Sequence, residues 1–393
     1  MKPNFQLQDV EVYMDNAATT AIDEEVVATM RPYLEERYGN PETVYRLGRE
    51  SRKAVEDSRA TIADILKCTP EEIFFTSGGT EANNWAIKCY HNNNGKGTSI
   101  LYGAIEHSSV IEPIQWMVQS NVGNVSAGEI RADKSGLIDL EYLETFLKDR
   151  NVGFVSIQYA NNEIGTVQPV EKIAELCKKY GAVFHCDAVQ AFGKIDFDVD
   201  DVGADMISLS AHKIHGPMGM GALYVKKGTL LEPLLHGGGQ ERGMRSGTLA
   251  VPEIVGFAKA AELAMAALPT QMPRLMRISE WIAEQLRLSS GGIRNGHTTQ
   301  RLPNIVSITL PGIESEVVCG IMCSKYKSCL SAGSACSTTK RRSHVLEAIG
   351  RDSRDVLSTL RISLSRYNSD SDVMVAMGHI QTAIKQSKMR ELI

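Results

Sequence analysis

The 393-residue sequence predicts an α/β fold, with a large, mostly parallel sheet domain and a smaller α+β domain beside it. Three observations carry that prediction. Short β-rich runs alternate with helical patterns through the middle of the chain, as in successive βαβ units. The alternation fades near residue 260, where a different pattern begins. Several predicted strands also run straight into polar or reactive side chains, and open α/β sheets bind ligands at the carboxyl ends of their strands. The expected division is 16–262 for the large domain, and 1–15 with 263–393 for the small one.

The elements follow in chain order. Ile73–Thr76 reads as a short strand, followed by Ser77-Gly78-Gly79-Thr80 and a helix from Glu81. Ser99–Tyr102 and Phe154–Tyr159 read as strands. Val170–Tyr180 has apolar residues at helical spacing, and Gly181 suits its end. Ala182–Cys186, Met206–Leu209 and Gly221–Val225 read as further strands of the same sheet. Two helical stretches, at 251–266 and 270–288, lead out of it. The last region holds a strand near Ile305–Thr309, a small-residue loop at 331–339, a helix near Ser343–Ile349 and a strand near Leu360–Leu364.

Composition narrows the function class. Lys and Arg number 42 against 47 Asp and Glu, a net charge of −5. So balanced a surface has no electrostatic reason to take nucleic acid or an anionic membrane as its main ligand. The greasiest stretch, Val251 to Leu268, carries Glu253, Lys259 and Glu262, so it reads as an ordinary helix and not a membrane span. The first residues lack the apolar core of a signal peptide. Eight cysteines in such a chain suggest reduced thiols and a cytoplasmic protein. Cys319, Cys323 and Cys329 have no zinc-type partner spacing, so no metal site is expected.

Four strand ends bring chemistry together. They lead to Ser77–Thr80, to Asn161-Asn162-Glu163, to Asp187 with Gln190 beyond it, and to Ser210-Ala211-His212-Lys213. A small, Gly-containing turn at a helix start offers free amide N–H groups and the positive end of the helix dipole, which suits a phosphate. A carboxylate such as Asp187, at a strand end, keeps a pyridine nitrogen protonated. Lys213 can condense with an aldehyde. Taken singly, each has an ordinary reading as a cap, a turn or a surface charge. Together the three requirements describe pyridoxal 5'-phosphate.

At these residues the sequence closely resembles the cysteine desulfurases of the NifS/IscS type, within the class V aminotransferase fold. The matching stretches span nearly the whole chain. They include Tyr13–Thr20, Thr76–Glu81, Glu106-His107, Asn161–Gly165, Asp187–Gln190, Ser210–Lys213 with Gly216-Pro217, His236–Thr248, Ser331–Cys336 and Arg361–Arg366. The resemblance implies the aspartate aminotransferase-like fold of pyridoxal-phosphate transferases. It also implies removal of sulfur from L-cysteine to give L-alanine, with the sulfur held as a persulfide on Cys336.

The same resemblance implies the site residues. Lys213 would tether the cofactor and later move the Cα proton, and His107 would stack on the ring and assist proton transfer. Asp187 would pair with the ring nitrogen. Asn162 and Gln190 would bond near the ring oxygen, and Gly79, Thr80, Ser210 and His212 would hold the phosphate. Thr248 would reach the phosphate from the other subunit, which implies a homodimer. Arg361 would clamp the substrate carboxylate, a task suited to its bidentate fork. The small residues from Ser331 to Ala335 imply a mobile tether for Cys336, as in the group I branch. Lys340, Arg341 and Arg342 either favour its thiolate or form a solvated basic surface.

A sulfur-acceptor protein is implied, serving iron–sulfur cluster assembly, tRNA thiolation or DNA phosphorothioation. The alternative is a selenocysteine lyase or another class V lyase or aminotransferase, which needs no such cysteine. Three positions depart from the family pattern: Glu42–Tyr45, Gln240 and Ser365.

Overall fold

The computed structural model describes residues 12–94, 99–149, 151–333 and 342–390. Cys336, Lys340 and Arg341 lie outside the described residues, as do residues 1–11 of the expected small domain.

The main sheet has seven strands. Their order is Ile73–Thr76, Gly221–Val225, Met206–Ser210, Val183–Asp187, Val152–Gln158, Ser99–Gly103 and Ser126–Ile130. Gly221–Val225 pairs antiparallel with both its neighbours, and every other pairing is parallel. Six strands therefore run the same way and end at one edge. Successive side chains of a strand point to opposite faces, and here both faces are covered. Ile73, Phe75, Val155, Ile157, Phe184, Ile207 and Leu209 enter one apolar core. Phe74, Ile100, Tyr102, Phe154, Met206 and Leu223 enter a second, with Trp85, Val110, Ile114 and Met117 of two covering helices.

The second sheet is antiparallel, in the order Ser331–Ala332, Thr359–Ser363, Ile305–Thr309 and Ile293–Arg294. Its core takes Leu360, Ile362, Val306 and Ile308, with Val318 and Met322 of the helix Ser315–Tyr326 and Ala376 and Ile380 of Asp370–Arg390. The short strand Val12–Tyr13 pairs parallel with Ser328–Cys329, which carries Val12 and Met14 into this core. Ala17, a few residues on, packs in the large-sheet core.

The sequence pattern predicts two helices between the sheets, but the chain forms a single 40-residue helix, Val251–Ser290. Pro269 and Pro273, which suggest a break, lie inside it. Each proline removes one backbone donor and disturbs one turn. The flanking turns are held independently, because Ile254, Phe257 and Ala261 bury in the large-sheet core and Leu275, Ile278 and Ile282 in the small one. The helices Glu24–Glu35 and Arg46–Leu66 and the strand Ser126–Ile130 lie outside the elements expected from sequence.

Candidate active site

The strand Met206–Ser210 ends in a tight turn, Ala211–Lys213, which lifts Lys213 over the sheet edge. Its Nζ donates to the carbonyls of Ala17 and Ala18 at 2.8 and 2.6 Å. Those carbonyls belong to the segment that crosses from one core to the other. The segment is held by Thr20, whose Oγ1 donates to the His212 carbonyl at 2.9 Å, and by Ser363 Oγ, which accepts from the Ala17 amide at 2.9 Å.

A cavity of about 230 Å³ opens beside Lys213. Its walls bring together Gly79, Thr80, His107, Asn162, Asp187, Gln190, Ser210 and His212, residues far apart in sequence. Asp187 is the last residue of its strand. One carboxylate oxygen accepts from the Val189 amide at 3.0 Å and the other from Asn83 Nδ2 at 2.7 Å. Gln190 donates to the Ala17 carbonyl at 2.9 Å, and its own oxygen accepts from Lys194 Nζ at 2.9 Å. Burial, with Lys213 nearby, pushes the buried Lys194 amine down to about 7.

One end of the cavity suits an anion. The helix Gly79–Asn94 begins there, two residues from expectation, and Gly78 turns the chain into it at φ +142°. A Cβ on Gly79 would lie 2.6 Å from Val189 Cγ2, so the backbone can sit this close only as glycine. Ser210 and His212 face the same space. Burial and the charges of Lys213 and Lys194 push His212 down to about 4. Glu81 caps the helix start from the Ser77 amide at 2.9 Å and takes a bidentate pair from Arg245, at 2.8 and 3.0 Å. Burial raises its carboxyl, but the bonds from Arg245 and Ser77 outweigh that and hold it below its ordinary value.

His107 is the N-cap of the helix Ser108–Gln119, and its Nδ1 accepts from the Ser109 amide at 3.1 Å. Burial lowers its pKa, the nearby Asp187 raises it, and Lys213 and His344 lower it, with a net shift downward. His107 and Asn162 also line a second, wider cleft of about 800 Å³. That cleft is walled further by Glu106, Glu163, Gly333, Arg342 and His344.

Arg361 does not line the first cavity. It is buried on Thr359–Ser363, where Nη2 meets Asp15 Oδ1 at 2.7 Å and Nη1 donates to the Asn162 carbonyl at 3.2 Å. Thr248 is exposed, outside the cavity of its own chain. The glycine-rich loop before it is tied down at depth. Arg59 meets Glu241 at 2.6 and 2.9 Å, both fully buried, and Glu241 also accepts from the Phe75 amide at 2.8 Å. Gln240, one of the departures, accepts from the Gly247 amide at 2.9 Å and so fixes the residue before Thr248. Ser365, another, is buried and bonded to Asn368. Glu42–Tyr45 lie off the cavity, with Val44 and Tyr45 exposed.

The model of the class V aminotransferase family matches residues 12–375. The chain belongs to the class V aminotransferase family. Among its relatives, the cysteine desulfurase IscS of Methanosarcina thermophila is 41% identical over 374 residues, 94% of this chain and 91% of the relative. A solved NifS-like protein superposes with a TM-score of 0.89 at 36% identity, covering 95% of this chain and 99% of that one. A structure described as SspA in complex with cysteine superposes at 0.80 with 33% identity, covering 91% and 100%. Class V aminotransferases use pyridoxal 5'-phosphate, and the donor set here fits it: a strand-end carboxylate, an amine on a turn, and a glycine cradle at a helix start with Ser210 and His212.

Sequence reasoning missed Asn83, Ser109 and Lys194. Asn83 lies four residues after Gly79, on the same helical face, so the helix period carried the signal. Ser109 follows His107 by two, the position whose amide an N-cap side chain reaches. Lys194 had no signal, because its link to the site runs through Gln190. Cys323 is exposed, whereas Cys186 is buried and burial raises its thiol well above the ordinary range.

Proposed function

We propose that this chain is a cysteine desulfurase that takes sulfur from L-cysteine, releases L-alanine and holds the sulfur as a persulfide on Cys336. One observation carries the reading. His107 and Asn162 are walls shared by the cofactor-sized cavity and the wide cleft, and the cleft's other walls include Gly333 and Arg342, which bracket the segment bearing Cys336. The superposition on a cysteine-bound relative supports cysteine as substrate.

Bound pyridoxal phosphate supplies an electrophilic aldehyde and an electron-accepting ring. The chain's residues do the rest. Gly79, Thr80, Ser210 and His212 would hold the phosphate, and Thr248 of a second subunit would complete that grip in a homodimer. Asp187 would accept from the ring nitrogen. Asn162 and Gln190 would bond near the ring oxygen, and His107 would lie against the ring. Lys213 would tether the aldehyde, and its amine would be the base for the substrate Cα proton. Arg361 binds the substrate carboxylate, exchanging part of its bond to Asp15 for it. The Cys336 thiolate attacks the substrate sulfur. The S–S bond forms as the C–S bond breaks, and the carbon fragment gains a proton to leave as alanine. A cytoplasmic acceptor protein then takes the sulfur. The division at 16–262 against 1–15 with 263–393 is part of this reading.

Purified protein loaded with pyridoxal phosphate and given L-cysteine with a reductant should release alanine and sulfide in equal amounts. Mass spectrometry should find the persulfide on Cys336. Cys336→Ala should stay yellow and lose sulfur transfer. Undiminished turnover in Cys336→Ala would overturn the reading in favour of a lyase or aminotransferase that needs no thiol.

A further inference from the structure

A chain of three hydrogen bonds along the cavity wall has a direction that the atoms themselves set. We propose that Asn83 and Ser109 are positioning residues that link Asp187 to His107 and fix His107 as its Nε2–H tautomer, so that its proton is carried on Nε2.

Two fixed ends determine every proton between them. At one end the Ser109 backbone amide lies 3.1 Å from His107 Nδ1. A backbone N–H only donates, so Nδ1 must present its lone pair. At the other end Asp187 Oδ2 lies 2.7 Å from the Asn83 amide group. An ionised carboxylate only accepts, so the Asn83 nitrogen, and not its oxygen, faces Asp187. The same nitrogen lies 2.8 Å from Ser109 Oγ and supplies its second N–H there. Ser109 Oγ therefore accepts from Asn83, and its own hydrogen is directed at His107 Nδ1, 2.8 Å away.

The orientation of Asn83 has a cost that shows what sets it. Asn83 Oδ1 is buried with no hydrogen-bond partner among the described residues. A buried acceptor left unsatisfied is unfavourable. Turning the amide over would set that oxygen against the Asp187 carboxylate, which is worse. The bond to Asp187 therefore wins, and the direction of the chain follows from it.

The surroundings lower the pKa of His107, which favours the neutral ring that the tautomer needs. His107 is exposed at the cavity wall, and among the described residues the titratable groups that act on it are Asp187, Lys213 and His344. Desolvation, with Lys213 and His344, outweighs the carboxylate and shifts the ring's pKa downward. Neutral His107 thus carries its one proton on Nε2, where it can donate a hydrogen bond, and it becomes a proton donor only after Nδ1 has taken up a second proton. The use of this proton in turnover rests on the desulfurase reading, but the tautomer does not.

The test uses the full-length, pyridoxal-phosphate-loaded protein labelled with ¹⁵N-histidine. Long-range ¹H–¹⁵N correlation spectra, with His107 assigned by the signal lost in His107→Gln, should show a protonated Nε2 and a bare Nδ1. In Ser109→Ala, one donor to the bare Nδ1 is gone. The pH at which His107 titrates, followed by the same spectra, should rise by about 0.5–1 unit. The acidic limb of kcat should move with it, and Ser109→Thr should restore both. Circular dichroism and an unchanged yellow colour show that the variants fold. A wild-type Nδ1–H tautomer, or a Ser109→Ala titration that does not move, would overturn the proposal. Absent sulfur release with the Nε2–H tautomer intact would overturn the desulfurase reading and leave this inference standing.

Discussion

The two sides of the site are held in different ways. On the large-sheet side, Asp187, Ser210, His212 and Lys213 sit on or just beyond the ends of adjacent parallel strands, so the ladder of backbone bonds sets their spacing. Buried partners then fix the side chains: Asn83 and Val189 on Asp187, and Lys194 on Gln190. On the small-sheet side, Arg361 lies outside the cavity, at the seam between the two cores. Asp15 and the Asn162 carbonyl, which belong to other segments, hold it. One side is built into secondary structure. The other depends on how two separately packed units meet. Under the proposed function, the first arrangement suits groups that hold a cofactor permanently, and the second suits an arginine that exchanges Asp15 for a substrate carboxylate.

The largest test of that contrast is acid. His185 is fully buried in the large sheet between Ser156 and Ser208, at 2.8 and 2.9 Å, and burial pushes it down to about 3. Unfolded, it titrates near 6.5. Between those values the unfolded chain binds the extra proton, so stability is present above pH 6.5 and is lost as pH falls toward 3. The expected slope approaches about 1.4 kcal/mol per pH unit, about 5 kcal/mol in all. Urea unfolding at pH 7, 5.5 and 4 should show it, and His185→Gln should flatten the slope. Equal slopes in the two proteins would mean that the large sheet does not hold this histidine neutral.

Glu241→Gln leaves the buried Arg59 charge beneath the glycine-rich loop with the exposed Glu56, 3.2 Å away, as its remaining carboxylate partner among the described residues. It should cost about 3–5 kcal/mol, read as a lower urea midpoint at unchanged m-value. A loss below about 1 kcal/mol would mean that the loop is held from elsewhere. Asp187→Asn leaves the shape of the large-sheet side intact and removes its charge. It should lower kcat by about 10²–10³-fold, with the cofactor still bound in the visible spectrum. Arg361→Lys keeps the charge on the small-sheet side and loses the fork. It should raise the KM for cysteine about 10–100-fold and leave kcat within a few-fold. An Arg361→Lys enzyme that lost its colour would erase the distinction between the two sides.

Much of the site was legible because strand ends and helix starts announce themselves locally. Asp187, Lys213, and Gly79 with Thr80 each follow a β-rich run and precede or open a turn, and the structure gathers them at one sheet edge. Asn83 and Ser109 were hidden for a plain reason. An asparagine on a helix and a serine after a cap have many ordinary uses, and only the approach of Asp187 to within 2.7 Å of Asn83 distinguishes this one. Val251–Ser290 is one helix and not the expected two because the anchoring that keeps it continuous through Pro269 and Pro273 comes from two cores distant in sequence.

The order of residues alone determined the alternation of strands and helices, the direction of the chain at each reactive group, and the family to which those groups belong. These are properties of neighbours within a few residues, where propensity and periodicity act. Only the tertiary structure decided which polar atoms face one another: Lys213 against the Ala17 and Ala18 carbonyls, Arg361 against Asp15, and His107 at the end of a hydrogen-bond chain from Asp187. Hydrogen bonds act over about 3 Å and only in one orientation, so they exist only once packing has brought distant segments into register.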